Sequence, residues 1–411
     1  MTDVLTRHAH DAAAVRATYT DELCAAVVEL FDQQPLEAQP RYLMDSHCGD
    51  GALLRALYQA IATRSARGRQ LQRFPLELIG VNGVAGAAAT LDGLPHRLLD
   101  GSYDAPKDIM EALAAQGVAG RDSILPLLAG ADFAPVLGQW SEVCGRHGIV
   151  LLQCHGGAYA APEAALLAAG AVGLLPRTGA ARRLPHDALR AEATLLHLER
   201  RAVAIRHALP TDLDALLAID LACWPELMLT PREELLRRIT LHADEVFVLD
   251  QQGEAIGVLY TQPVGAVDDL YGLNWTDIGR GRLQGGPVLE FISLNVLPGK
   301  RTSGLGDQLI DFVLEYARCS DRIERVAAVS RCSNYADCQP PMDQDAYLRL
   351  RKAGGQLADP LLSFHESHGA EIVGLVPDFR AGDVDNNGCG VLVHYDLRPR
   401  DAASPPAAAA G

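Results

Sequence analysis

Apolar residues recur along the first half of the chain with alternating helical and strand-like spacing. Residues 11–34 have the 3.6-residue period of a helix, and "RYLMDSHCGDGALLRALYQAIA" predicts a strand, a glycine turn and a second helix. "PLELIGVN" and "HGIVLLQCH" are short, nearly continuous apolar runs, as in strands that are buried on both faces. Strands that alternate with helices predict an α/β fold with a largely parallel sheet.

The second half begins near Arg201 and has a different order of elements. Its helix "TDLDALLAIDLACW" has Thr211 as the expected N-cap, and a turn at Gln252 and Gly253 joins two strands. A long strand then leads into a glycine loop and a helix. The other predicted elements are "RAVAIRHA", "PREELLRRITL", "GPVLEFISLNV", "RVAAVSRC", "DPLLSFHESHGAEIVGLVP" and "CGVLVHYDL".

A segment rich in Ala, Gly and Pro separates the two halves and has little periodicity. We therefore predict an α/β domain over residues 1–195 and a second over residues 196–400. Residues 401–411, "DAASPPAAAAG", form a low-complexity tail that we expect to be disordered.

Composition narrows the classes of function. The 411-residue chain has a formal net charge of −16, which argues against a non-specific nucleic-acid or membrane-surface partner, because both require an excess of Lys and Arg. Its nine cysteines include no CxxC pair, so we expect reduced thiols, no metal site and a cytoplasmic location. We find no secretory leader and no apolar run of membrane-spanning length.

The glycine loop is the first candidate site. Arg301, Gly304 and Gly306 form an R-x-x-G-x-G pattern between the long strand and a helix. Glycine lets a ligand approach the backbone, and amides at a helix N-terminus attract anions, so the loop can bind a pyrophosphate. A flexible helix start is the alternative, because short glycine patterns are weakly specific.

The order of elements over residues 201–398 resembles the GNAT superfamily of acyl-CoA-dependent acyltransferases. The resemblance implies that the glycine loop binds the pyrophosphate of coenzyme A and that pantetheine lies along the strand "FISLNV". It also implies an acyl-CoA substrate such as acetyl-, malonyl- or methylmalonyl-CoA. The implied cofactor-binding residues are Val296, Arg301, Ser303, Gly304, Leu305 and Gly306.

A narrower resemblance rests on "VSRCSNYADC" and on "DPLLSFHESHGAEIVGLVPDFRAGDVDNNGCGVLVHYDL". These stretches are similar to GNAT-like domains that open bacterial polyketide assembly lines. The similarity implies decarboxylation of malonyl or methylmalonyl thioesters and an acyl carrier protein as partner. It also implies four residues at the acyl end of the site, one of which is Ser where relatives often have Thr: Trp224, Ser330, His365 and Arg380.

The chemistry of decarboxylation suits these residue types. Loss of CO2 leaves a thioester enolate, which His365 and Ser330 can stabilise by hydrogen bonds or protonate. Arg380 would attract the carboxylate, and Trp224 would form an apolar wall that solvates it poorly. Three of the four residues also have a structural explanation: a helix C-terminal cation for His365, a role that His368 fits better, core packing for Trp224 and a surface position for Arg380.

Two other functions remain open. Conventional acetyl transfer to a small amine needs a general base, and Glu290 on the long strand is the candidate. The third hypothesis is a non-catalytic protein that binds coenzyme A or serves as a docking module.

The first half resembles class I S-adenosylmethionine-dependent methyltransferases over residues 10–155. In "YLMDSHCGDGALL", Asp45, Gly49 and Gly51 fit the D-x-G-x-G-x-G motif, but His47 replaces its first glycine. Asn82 stands where an acidic residue usually binds the ribose. The resemblance implies a Rossmann-like domain before the GNAT domain, an order known from polyketide starter modules. We predict a degenerate adaptor domain and do not expect S-adenosylmethionine as a cofactor.

Overall fold

The protein is described by a computed structural model that covers residues 18–84, 86–118, 120–130, 133–155, 162–177, 182–184 and 192–397. Its contacts divide the chain into two units between Ala204 and Ile205. The expected disordered tail, residues 401–411, lies outside the described residues, as do residues 11–17 of the first predicted helix.

The first unit contains an eight-stranded sheet with the order β3-β2-β1-β4-β5-β8-β6, and β7 pairs with β8. Strands β1 to β5 are parallel, and β8 is antiparallel to β5. The order 3-2-1-4-5 is that of a doubly wound Rossmann-type sheet, which confirms the predicted fold. The strands are β1 (Tyr42–Asp45), β2 (Glu77–Val81), β3 (His96–Leu99), β4 (Ile124–Gly130), β5 (Ile149–His155), β6 (Leu174–Pro176), β7 (Arg182–Leu184) and β8 (Glu192–Arg200).

Helices connect the parallel strands of this sheet. Leu54 and Leu57 of the second helix pack with Leu43 and Leu78 of the sheet, and all four side chains are fully buried. This apolar stripe at helical spacing explains why the chain folds back after the glycine turn. The helices are α1 (Thr20–Asp32), α2 (Ala52–Arg64), α3 (Ala87–Leu91), α4 (Pro106–Ala115), α5 (Leu137–Val143) and α6 (Pro162–Ala171).

The second unit contains a seven-stranded mixed sheet with the order β14-β15-β13-β12-β11-β10-β9. Strand β12 is antiparallel to β11 and parallel to β13. The strands are β9 (Ala204–His207), β10 (Val246–Gln251), β11 (Glu254–Val264), β12 (Val288–Val296), β13 (Arg325–Ser330), β14 (Ala370–Val376) and β15 (Gly390–Asp396). The helices are α7 (Leu213–Cys223), α8 (Arg232–Leu241), α9 (Leu305–Cys319), α10 (Gln344–Leu348) and α11 (Pro360–Ser367).

The central strands of this sheet separate partway along their length. Residues 288–291 of β12 pair with residues 325–328 of β13, and the pairing stops there, although both strands continue. The remainder of β13 stays paired with β15 as far as Ser330. A parallel pair that splits in mid-sheet leaves backbone groups and side chains facing an opening, and the candidate site lies at this opening.

Two local predictions can be compared with the structure. The turn between β10 and β11 is confirmed: Gln252 and Gly253 have φ values of 58° and 89°, which a two-residue hairpin turn of this hand requires. The predicted N-cap at Thr211 is wrong, because α7 follows a 3₁₀ turn, Pro210–Asp212, and begins at Leu213 without a side-chain cap. No helix in the described ranges is long and apolar enough to cross a membrane.

Candidate active site

A cavity of about 120 Å³ lies where β12 and β13 separate. The structure brings all four predicted acyl-site residues, Trp224, Ser330, His365 and Arg380, to its wall. Pockets for drug-sized ligands are several times larger, so this space suits a small group at the end of a longer ligand.

His365 joins two hydroxyl groups inside the second unit. Its Nε2 lies 3.0 Å from Ser330 Oγ, and its Nδ1 lies 2.5 Å from the hydroxyl of Tyr395 on β15. Burial lowers the pKa of His365 to about 4, so the imidazole is neutral at physiological pH and has one N–H donor.

The hydrogen bond of Ser330 assigns that donor to one nitrogen. Ser330 Oγ donates to the carbonyl of Arg331 at 3.2 Å, so it accepts from Nε2–H of His365. Nδ1 then accepts from the hydroxyl of Tyr395, whose pKa is raised by burial. His365 therefore presents an N–H donor on the side of the cavity.

A single buried carboxylate fixes the helix that carries His365. One oxygen of Asp359 caps α11 by accepting from the amides of Leu361 (2.9 Å) and Leu362 (3.1 Å). Its other oxygen accepts from the amides of Ser333 (2.7 Å) and Asn334 (3.1 Å), just after Ser330. Asp359 thus couples the position of α11 to the end of β13, and with it the distance between His365 and Ser330.

His368, one turn along, has the structural role considered for His365. Its Nδ1 lies 2.7 Å from the carbonyl of Phe364, and its Nε2 lies 3.4 Å from a carboxylate oxygen of Asp307. These contacts place His368 at the C-terminal end of α11, where a polar side chain satisfies exposed carbonyls.

Arg380 is enclosed by aromatic rings. Its guanidinium carbon lies 4.9 Å from the ring centroid of Trp224 and 3.9 Å from that of Trp275, and its side chain is buried. Burial lowers its pKa to about 10, with a smaller contribution from the neighbouring charge of Arg331, so it is still cationic at neutral pH. Among the described residues, no group accepts a hydrogen bond from Arg380 Nη1. A buried cation with an unpaired donor is prepared to bind an anion.

The glycine loop has the predicted backbone form. A 3₁₀ turn, Pro298–Ser303, links β12 to α9, and Gly304 immediately before the helix has a φ of 67°. A Cβ at Gly306 would lie 3.6 Å from Leu294 Cδ2, so that glycine is not needed for packing. The side chains of Arg301 and Ser303 lie outside the described part of the structure. Val296, at the end of β12, accepts a hydrogen bond at its carbonyl from the thiol of Cys223 on α7 (3.4 Å).

Glu290, the candidate base for amine transfer, is fully buried and does not line the cavity. Its Oε2 accepts from Gln262 Nε2 at 2.6 Å, and Gln262 Nε2 also donates to the carbonyl of Ile278 at 2.7 Å. Burial raises the pKa of Glu290 to about 7. The pKa would suit a base, but the position gives it no access to the cavity.

In the first unit, the glycine turn after β1 is built around Asp45 and His47. The backbone N–H of His47 donates to Asp45 Oδ1 (2.9 Å), and its ring contacts the edge of Tyr103 with 6.1 Å between centroids. Gly51 has a φ of 81°, and a Cβ there would lie 3.1 Å from Leu91. The packing around position 51 therefore requires glycine. Asn82, at the end of β2, has a φ of 56°.

Comparisons with known proteins identify both units. Residues 213–339 match the model of the acetyltransferase (GNAT) family, and residues 6–133 match the AprA MT2-like domain. The loading GNATL domain of CurA from Lyngbya majuscula is 35% identical over its full length and 49% of this chain, with a TM-score of 0.47. The chain belongs to the GNAT superfamily.

A second solved structure is similar in sequence to the same unit. The GNAT-like decarboxylase GphF, solved in complex with isobutyryl-CoA, is 38% identical over 99% of its own chain and 47% of this one, with a TM-score of 0.45. The GNAT unit is thus similar to the loading and decarboxylase type, and a methyltransferase-like domain precedes it. Curated protein sequences contain no significant match to the chain.

Proposed function

We propose that this GNAT protein uses malonyl- or methylmalonyl-CoA, removes the carboxylate, and transfers the resulting acyl group to an acyl carrier protein. One observation carries the proposal: Arg380, whose Nη1 has no acceptor among the described residues, and the neutral His365–Ser330 pair line one small cavity. An anion site beside a hydrogen-bond donor is what a malonyl thioester needs at its two ends. The sequence identity to GphF and to the loading domain of CurA supports it.

The cavity residues suggest how the reaction proceeds. Arg380 binds the substrate carboxylate, and the indole of Trp224 limits its hydration. The bond between the carboxylate carbon and the α-carbon breaks, CO2 leaves, and the electron pair moves into the thioester as an enolate. Nε2–H of His365 and the hydroxyl of Ser330 would turn from Ser330 Oγ and the carbonyl of Arg331 to the enolate oxygen and stabilise it, and uptake of one proton from solvent at the α-carbon gives the acyl thioester.

Transfer exchanges one thioester for another. The thiol of a carrier protein attacks the acyl carbonyl, coenzyme A leaves as the thiol, and no oxidant or reductant is required. The glycine loop at the start of α9 would bind the pyrophosphate through helix N-terminal amides, with Gly304 providing the backbone conformation. Val296, Arg301, Ser303, Leu305 and Gly306 belong to the same proposed coenzyme A site.

The test compares one variant of His365 with one variant of Glu290. His365→Ala removes the donor at the acyl end and should slow conversion of malonyl-CoA to acetyl-CoA by about 10²–10⁴-fold, the usual effect of losing a positioned acid or base. Glu290→Gln keeps the contact with Gln262 and should leave the conversion largely intact. Mass spectrometry of the acyl species, with no amine present, measures both.

The opposite result favours amine acetylation, which the pKa of about 7 at Glu290 makes chemically reasonable. In that case the wild-type protein would release no CO2 from malonyl or methylmalonyl thioesters. It would instead acetylate an amine at a rate that falls in Glu290→Gln.

A further inference from the structure

A buried polar chain lies directly behind the Trp224 wall of the cavity. Trp224 Nε1 donates to Asn295 Oδ1 at 2.8 Å, and Asn295 Nδ2 donates to Asp220 Oδ1 at 2.8 Å. Ser293 Oγ also donates to Asn295 Oδ1, at 3.1 Å. Asn295 and Asp220 are each 3% exposed, so these hydrogen bonds are formed out of water.

The hydrogen bonds from Trp224 to Asn295 and from Asn295 to Asp220 require an amide at position 295. An indole N–H can only donate, and an ionised carboxylate can only accept. An amide side chain supplies an acceptor for the first and a donor for the second, and the partners fix which way the amide points. A leucine of similar size at this position would leave the indole N–H without its acceptor and would remove the amide donor to Asp220.

The same series of hydrogen bonds joins α7 to β12 at the cavity. Trp224 follows the last residue of α7, and its backbone N–H donates to the carbonyl of Asp220 at 2.9 Å. Asn295 lies on the part of β12 that is separated from β13. The orientation of the Trp224 ring is therefore set by residues that do not reach the cavity themselves.

The ring orientation matters because Trp224 and Trp275 share one cation. Their ring centroids are 6.5 Å apart with an interplanar angle of 37°, and the guanidinium of Arg380 lies over both. A desolvated cation between two indoles is held by the faces of the rings, so a rotation of either ring moves it.

We propose that Asn295 is a positioning residue: with Asp220 behind it, it fixes the Trp224 indole and thereby holds Arg380 where the substrate carboxylate binds. This inference rests on the proposed function in one respect: the carboxylate that Arg380 binds is taken to be that of a malonyl or methylmalonyl thioester. Burial raises the pKa of Asp220 to about 6, and the hydrogen bond from Asn295 makes the largest opposing contribution, ahead of Arg238, Tyr260 and Thr230.

A swap of the two side chains provides the matched test in the full-length protein. Asn295→Asp alone places two carboxyl groups against each other and removes the donor to Asp220. The double variant Asp220→Asn with Asn295→Asp restores an amide that donates to a carboxylate, which can still accept from Trp224. We expect Asn295→Leu and Asn295→Asp to lower kcat/KM for malonyl-CoA decarboxylation by about 10- to 100-fold and the double variant to recover most of the loss.

Two further measurements separate positioning from a general structural role. Acetyl-CoA has no carboxylate, so its dissociation constant by calorimetry should be unchanged within about twofold in Asn295→Leu. In a ¹H–¹⁵N spectrum the indole Nε1–H resonance of Trp224, assigned with Trp224→Phe, should move in Asn295→Leu and in Asn295→Asp, and it should move back towards its wild-type position in the double variant.

The outcomes are distinct. If Asn295→Leu decarboxylates malonyl-CoA like the wild type, or loses acetyl-CoA affinity in parallel, the positioning role is wrong. If the double variant recovers nothing, the amide–carboxylate pair is not the relevant interaction. A wild-type protein without decarboxylase activity sinks the proposed function instead, and an indole resonance unmoved by Asn295→Leu would then reject the positioning role independently.

Discussion

At the scale of single residues, the site contains polar side chains whose pKa values burial has shifted. His365 is neutral because its pKa is lowered to about 4, and it lies between the hydroxyls of Ser330 and Tyr395. A neutral imidazole donates a hydrogen bond without competing with Arg380 for an anion. In the proposed reaction, this difference would assign anion binding to Arg380 and donation to the enolate to His365.

The lowered pKa of His365 predicts a pH dependence of stability. Between pH 6.5, its ordinary value, and about 4, the unfolded chain binds a proton at this side chain that the folded protein does not. The stabilisation is therefore complete above pH 6.5 and is lost as the pH falls towards 4. In His365→Gln, the free energy of unfolding should fall less steeply over that interval.

Chemical denaturation at a series of pH values measures this slope. His147 in the first unit also has a pKa lowered to about 4 by burial, so the comparison must be between the variant and the wild type. Equal slopes in the two proteins would show that folding does not lower the pKa of His365. Decarboxylation should be insensitive to pH between about 7 and 8, where His365 is neutral and Asp220 behind Trp224 is ionised.

Sequence reasoning found the four cavity residues through their resemblance to a family but missed their supports. Asn295 and Asp220 are polar residues at inward positions of apolar runs, and that irregularity was the available signal. Tyr395 and Trp275 gave no signal, because an aromatic residue on a strand or in a loop is ordinarily core. Their roles depend on contacts between segments distant in sequence, which periodicity does not report.

At the scale of elements, the predictions are more complete for the second unit than for the first. Every predicted strand of the second unit is present, because each is an apolar run bounded by turn residues. The omissions in the first unit are strands β3, β4 and β6 to β8 and helices α3 to α6. The Ala-rich sequence of α6 is apolar on all sides and so has no helical stripe. The split between β12 and β13 could be expected only from the family resemblance.

The start of α9 gives a prediction about coenzyme A. Gly304 has a φ of 67°, where a β-branched residue costs about 1–2 kcal/mol and its side chain would project beside the helix amides. Gly304→Val should therefore abolish measurable binding of acetyl-CoA by calorimetry. Gly306→Ala, in the same proposed site, is the graded comparison and should lose much less affinity than Gly304→Val, since its Cβ has ordinary contact distances and its backbone has no positive φ.

Thermal unfolding must show that both glycine variants are folded. Unchanged acetyl-CoA affinity in Gly304→Val would mean that the pyrophosphate does not lie on this loop. Equal losses in both variants would instead indicate that the helix, not the backbone conformation before it, is what binding requires.

At the scale of the whole molecule, the chain combines a GNAT unit with a methyltransferase-like unit, and the known GNAT-like structures cover about half of it. The order of the two was predicted from their motifs. The contact boundary between Ala204 and Ile205 places strand β8 in the first unit, where it is antiparallel to β5. Its pairing partner lies more than thirty residues earlier, beyond a segment with little periodicity, so the sequence pattern alone did not assign it.

The first unit keeps the scaffold of a methyltransferase, but two positions predict that it does not transfer methyl groups. His47 replaces a glycine in the turn after β1, where the methionine end of the cofactor would approach the backbone. Asn82 ends β2 without the charge that usually binds the ribose hydroxyls. Titration of the full-length protein with S-adenosylmethionine should accordingly give weak or no binding.

The variant His47→Gly with Asn82→Asp tests whether these two positions are the cause. Asp tolerates the φ of 56° at position 82, and glycine at position 47 keeps the backbone N–H that donates to Asp45. If the scaffold is otherwise intact, the double variant should bind the cofactor measurably more tightly than the wild type by calorimetry. Tight, saturable binding by the wild type, together with methylated malonyl product by mass spectrometry, would show that the first unit is an active methyltransferase.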